Sequence, residues 1–234
     1  TNSDLGHTHY TKIQEEGGLV KRTGRLNQDY NKYKTISERV EQADQWRKIQ
    51  DHKNIISIID SSLNPEPYIQ MERGDSTLKK WDLPIKIFKA KDILIPIADA
   101  LEHAHERDIY HLNLKPSNIL FKHGTAATSP KPLISDFDCG EICHPMSDME
   151  YKIDEQYAAP EQISVKEYDI CENKIDIYQL GNIAYQCIIG RPVNRPHPAG
   201  GIRYNSPPDL NPKFPDALHR SLYPKPSERF ESIK

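Results

Sequence analysis

The sequence predicts an α+β fold in two parts, a small N-terminal sheet carrying one helix followed by a larger, mainly helical region. Three observations point there. Short strand-like runs broken by glycine and proline turns occupy most of the chain up to Met71. One stretch among them repeats apolar residues at helical spacing. Beyond Gly74 the helical period takes over.

Tyr10 to Thr23 reads as two short strands about a hairpin turn containing Gly17 and Gly18. Thr35 and Glu38 form a capping box, and Ile36, Val40, Ala43, Trp46 and Ile49 follow at helical spacing, so a helix is expected over 36–50. Ile55–Ile59 and Tyr68–Met71 suit two further strands joined by the turn-rich stretch 61–67. The character of the chain changes at 72–76, which we take as the boundary between the two parts. Ile93, Leu94, Ile97, Leu101 and Ala104 then mark a long helix, in which Pro96 predicts a kink or a late start. Further helices are expected at Ile175–Ile189, stopped by Gly190, and at Phe214–Leu222, with a proline-rich loop over 191–212.

Composition narrows the function. The formal net charge is -3, so no whole-chain field points to nucleic acid or to an anionic membrane. No apolar run approaches the roughly 18 residues a membrane span needs, and no leader-like segment opens the sequence. Cys139, Cys143, Cys171 and Cys187 are scattered without metal-ligand spacing, which suits reduced thiols in a cytosolic domain. His7 and His9 lack further spaced ligands and read as loop residues.

Four segments carry chemistry. His111-Leu112-Asn113-Leu114-Lys115-Pro116-Ser117-Asn118 is followed by Ser135-Asp136-Phe137-Asp138, then by Ala159-Pro160-Glu161, then by Asp176 to Gly181. Taken singly, Asp136 is a turn residue, Asp176 a helix cap and Arg229, in Lys225-Pro226-Ser227-Glu228-Arg229, a solvated charge. Taken together and in this order, they resemble the catalytic loop, metal-binding motif and activation-segment end of eukaryotic-type protein kinases.

The resemblance implies a bilobal fold over 1–234, with an N-lobe at 1–72, a hinge at 72–76 and a C-lobe at 77–234 whose last helices lie beyond the sequence. It implies Mg2+ and ATP as cofactors where binding is retained, and a protein as partner or substrate. Asp136 and Asn118 match the metal ligands and Lys115 the lysine beside the transferred phosphate. Met71 matches the back of the adenine cleft, and Glu72 and Arg73 the backbone that meets the base. His111, Glu161, Asp176, Gly181 and Arg229 match scaffold positions, with Glu161 and Arg229 as a buried ion pair and Asp176 accepting from the catalytic-loop backbone.

Departures from the pattern set the functional expectation. Asn113 stands where the family has its catalytic aspartate, and an amide has no basic oxygen to accept a proton. Leu112 replaces the arginine that binds an activation-segment phosphate, so switching by loop phosphorylation is not expected. Lys21 matches the nucleotide-binding strand lysine. Counting back from His52-Lys53-Asn54-Ile55 puts Ala43 where its glutamate partner should be, with Glu41 and Asp44 as neighbouring substitutes. Gly6 alone remains of the glycine-rich loop, and Asp138 replaces a glycine, which either restricts that segment to one conformation or attracts a cation. The resemblance thus implies a pseudokinase with a regulatory or scaffolding role and weak Mg-ATP binding. The alternatives are a divergent active serine/threonine kinase and, more remotely, a small-molecule phosphotransferase.

Overall fold

The computed structural model describes residues 12–16, 19–23, 40, 43–65, 67–123, 130–137, 154–163, 171–193 and 213–233. Its contacts divide the chain into two compact units, Thr1–Lys79 with Ser117–Ser135, and Lys80–Pro116 with Asp136–Lys234.

The first unit holds two antiparallel sheets. Strands β1 (Lys12–Glu16), β2 (Leu19–Thr23), β3 (Ile58–Ser62) and β4 (Tyr68–Glu72) form one, in the order β1-β2-β4-β3. β5 (Ser76–Thr77), β6 (Ile119–Lys122) and β7 (Lys131–Ile134) form the other. The hairpin β1–β2 pairs Glu16 with Leu19, and the two glycines expected to form its turn lie outside the described residues. Of the helix expected over 36–50, residues 40 and 43–47 are helical and 48–50 are turn. Val40, Ala43, Trp46 and Ile49 are all buried, and the Trp46 indole donates to the Ile56 carbonyl at 3.0 Å.

The strand expected at Ile55–Ile59 lies three residues later. Ile55 and Ile56 instead serve β7: Ile134 donates to the Asn54 carbonyl at 2.8 Å, and Ile56 donates to the Ile134 carbonyl at 2.9 Å. The first turn of the isoleucine run is therefore committed elsewhere, and β3 starts at Ile58. Its register slips between Ile58 and Asp60, which leaves Ile59 as a bulge residue with its side chain exposed.

The second unit is helical. α1 (Ile87–His105) buries Ala90, Ile93, Leu94, Ile97, Ala100, Leu101 and Ala104 along one stripe. It neither starts late nor stops at Pro96. A helix-interior proline costs about 3 kcal/mol, and burying two or three of these aliphatic side chains, at roughly 1.5–3 kcal/mol each, offsets it. α2 (Pro160–Ile163) is a single turn. α3 (Glu172–Ile189) is buried around almost its whole circumference, as a central core helix must be. It ends at Gly190, whose φ of 89° and N–H bond to the Gln186 carbonyl make a left-handed cap. α4 (Lys213–Ser221) closes the unit. Among the described residues no helix is long and apolar enough to cross a membrane.

Candidate functional site

In the second unit the site is built around the loop that follows α1. Asp176 of α3 is fully buried, and its carboxylate accepts the backbone N–H groups of His111 and Leu112, each at 2.8 Å. His105 Nε2 lies 2.7 Å from the same carboxylate. A buried carboxylate needs several donors to be tolerated, and here they come from the loop itself. The result is a fixed backbone with Leu112 at φ 60°, a region a branched side chain seldom enters. The His111 ring packs on Phe137 at 4.8 Å between centroids, and its Nδ1 accepts the Asn113 N–H at 3.3 Å.

Asn113 and Lys115 are half-buried on this loop. Asp136 is 8% exposed and, at φ 61°, is also left-handed. Asp138, in the same motif, lies outside the described residues.

Two glutamines complete the loop's support. Gln179 accepts the Leu114 N–H at 2.7 Å and donates to the Leu112 carbonyl at 3.1 Å. Gln162, which follows Glu161, donates to the same carbonyl at 2.8 Å, and the two amides bond each other at 3.0 Å. Neither was singled out from the sequence. The available signal was Gln179's position three residues after Asp176, on the same helical face.

Glu161 and Arg229 form the scaffold beneath. Both are fully buried and meet fork to fork at 2.6 and 2.8 Å. Arg229 also donates to the carbonyls of Tyr223, Lys174 and Pro224, so all five of its N–H donors are used. Gly181 is required by packing, because a Cβ there would stand 2.8 Å from the Ser221 Cβ.

In the first unit, the residues expected to meet nucleotide are distributed differently. Lys21 Nζ lies 3.5 Å from the centroid of the Tyr68 ring, in a cation–π contact. The Tyr68 hydroxyl is bonded to Asp60, and this bond, ahead of burial and the nearby charge, raises its pKa. The register sets Lys21 opposite Gln70 and Val20 opposite Met71. Strand alternation therefore places Lys21 and Met71 on opposite faces of the sheet, and the structure does not bring them together.

Ala43 is buried, and Asp44 is exposed and paired with Arg47 at 2.9 Å. Among the described residues no carboxylate pairs with Lys21. Glu41 and Gly6, like His7 and His9, lie outside those residues.

The segment 72–76 is stitched to β6. Glu72 pairs with Lys122 at 3.2 Å, and Asp75 donates its N–H to the Phe121 carbonyl at 2.8 Å. Gly74 lies so close that a Cβ would meet the Leu120 Cβ at 2.8 Å. Arg73 continues this segment. Asn118 is buried just before β6, and its carbonyl accepts the Ser135 N–H at 3.0 Å.

Comparison with known proteins places this geometry. The family model for the protein kinase domain matches residues 20–206. The chain belongs to the protein kinase domain family.

Among its relatives, serine/threonine-protein kinase Pkn1 of Myxococcus xanthus is 32% identical over 205 residues, covering 78% of this chain and 28% of that protein. A Wee1-like protein kinase of Arabidopsis thaliana is 33% identical over 147 residues, covering 61% of this chain and 28% of that protein. The chain thus spans under a third of the length of these relatives. A crystal structure of a point mutant of the Mycobacterium tuberculosis PknI kinase domain shares the fold, with a TM-score of 0.66 at 18% identity, covering 98% of this chain and 88% of that one.

Proposed function

We propose that this protein kinase domain is a pseudokinase, acting in the cytosol by binding protein partners rather than by appreciable phosphate transfer. Asn113 carries the reading. Its loop is held by buried hydrogen bonds, so the amide occupies a fixed place where the family's chemistry needs a carboxylate. It can orient a hydroxyl but is not basic enough to take its proton. The engagement of Lys21 by Tyr68, and of Asp44 by Arg47, supports the same reading, since the two are not joined in the ion pair by which the family positions phosphate.

Residual Mg-ATP binding belongs to the proposal. Asn118 and Asp136 are buried oxygen donors, the hard ligands that magnesium takes, and they would hold the ion. The ion's chemistry is to neutralise phosphate charge. Met71, Glu72, Arg73 and the hinge at 72–76 would meet the adenine, and Lys115 the terminal phosphate. The retained Lys115 and Asp136 favour the second reading, a divergent active serine/threonine kinase.

Thermal stability measured against ATP, with and without magnesium, tests the binding, because a ligand held only by the folded state raises stability. A magnesium-dependent rise that is lost in Asp136→Asn is expected; asparagine tolerates the left-handed backbone there. Asn113→Asp should raise phosphate transfer to a protein hydroxyl on the order of 10²-fold. Measurable wild-type transfer at the same rate as that of Asn113→Asp would sink the pseudokinase reading.

A further inference from the structure

We propose that Gln162 and Gln179 are positioning residues: an interlocked pair of neutral amides that fixes the backbone of the Leu112–Leu114 loop without help from a phosphate. The loop carries Asn113 and leads into Lys115, yet Leu112 offers no cation by which a phosphorylated activation segment could order it. Something else must hold the left-handed backbone at Leu112, whose φ is 60°.

The bonds specify their own direction. The Leu114 and Ala159 N–H groups can only donate and the Leu112 carbonyl can only accept. Leu114 donates to Gln179 Oε1 at 2.7 Å and Ala159 donates to Gln162 Oε1 at 3.0 Å, so both amide oxygens are assigned. The two Nε2 groups then converge on the Leu112 carbonyl at 2.8 and 3.1 Å and fill both of its lone pairs. The second N–H of Gln179 closes the ring on Gln162 Oε1 at 3.0 Å. Gln179 is 2% exposed and Gln162 8%, so water does not compete for these groups.

The pair joins three segments of the second unit. Gln179 stands on α3, Gln162 on α2 just past Ala159 at the activation-segment end, and Leu112 and Leu114 on the loop. Asp176 holds the loop through N–H groups, and the glutamines hold it through the Leu112 carbonyl and the Leu114 N–H. Because the network is uncharged, the order of the loop should be independent of the phosphorylation state of the activation segment. This goes beyond the pseudokinase reading and does not require it, since the amides act on backbone whether or not Asn113 supports transfer. The ATP titration can fail while this inference stands.

The test is residue-resolved amide hydrogen exchange on the full chain carrying Gln162→Met. That variant keeps the side chain's length, removes the ring, and leaves the direct Leu114–Gln179 bond chemically intact. Exchange at Ala159 is expected to rise, and exchange at Leu114 to rise with it by about tenfold, the scale of one lost hydrogen bond. The Ile183 amide, in the middle of α3, should not change. Gln162→Glu keeps the acceptor for Ala159 and Gln179 but loses the donor to Leu112, so Leu114 should fall between wild type and Gln162→Met. A rise at Ala159 with no response at Leu114 would overturn the proposal, because the bonds would then act independently. Phosphatase treatment of wild type should leave Leu112 and Leu114 unchanged, and faster exchange there after treatment would overturn the phosphate-independence.

Discussion

At the scale of single residues, the most exacting contact is Glu161 with Arg229. Two full charges are completely buried, a state tolerable only because each is opposed by the other and all five arginine donors are satisfied. Removing one partner leaves the other charge stranded. Glu161→Ala is expected to lower stability by about 3–5 kcal/mol, read from urea unfolding. Adding Arg229→Met should recover part of that loss, because the stranded charge goes too.

Such residues were legible in the sequence, since a glutamate after Ala-Pro and an arginine near the chain's end have fixed places in a known pattern. Gln162 and Gln179 were not, because glutamine at a helix position is ordinary surface composition and only the fold shows which are buried. Lys21 is the intermediate case. The resemblance singled out the residue, but its face depends on the β2–β4 register, which no local pattern fixes.

At the scale of elements, periodicity found α3 and its stop at Gly190 because both signals are local, an apolar repeat and a glycine able to take positive φ. It misplaced β3, since Ile55 and Ile56 look like strand residues and are used by a distant partner, Ile134. It also passed over β5, β6 and β7, two to four residues each, whose runs are too short to show alternation.

Where two helices meet closely, a prediction follows from distance. Gly181 of α3 has Ser221 of α4 so near that an added Cβ would come within 2.8 Å of the serine Cβ. Gly181→Ala gains helix propensity on the order of 1 kcal/mol, but overpacking costs about 1–3 kcal/mol, so the net effect is expected to be loss. α4 should loosen first, seen as faster amide exchange in Leu218 than in Ile183. Ser221→Gly in the same chain makes room and should restore Leu218 protection. Unchanged protection in Gly181→Ala alone would mean that α4 shifts at no cost.

At the scale of the whole molecule, the near-neutral charge leaves little long-range repulsion, so stability against pH is governed by groups whose protons the fold holds. In the second unit burial raises the pKa values of Tyr157, Tyr178 and Cys187 each to about 12, and Tyr178 and Cys187 are the two most deeply buried. Burial pushes the Tyr178 hydroxyl up to about 12 from 10.0, against the Arg229 guanidinium, which pulls it down, and with Glu161, which adds to the rise. Burial pushes the Cys187 thiol up to about 12 from 9.0.

Both are acids held neutral by the fold. Above pH 9 for Cys187 and pH 10 for Tyr178, the unfolded chain sheds protons that the folded chain keeps, until both states are ionised beyond about pH 12. The stabilisation is therefore complete below those unfolded values and is lost as pH rises through the window, at about 1.4 kcal/mol per pH unit for each group at most. Tyr178→Phe removes one of the two without emptying the core. Urea unfolding at pH 8, 9.5 and 11 should show the variant losing stability less steeply than wild type between the last two points. Equal slopes would mean that the Tyr178 hydroxyl ionises in the folded protein as readily as in the unfolded chain, and that its burial against Arg229 does not hold the proton.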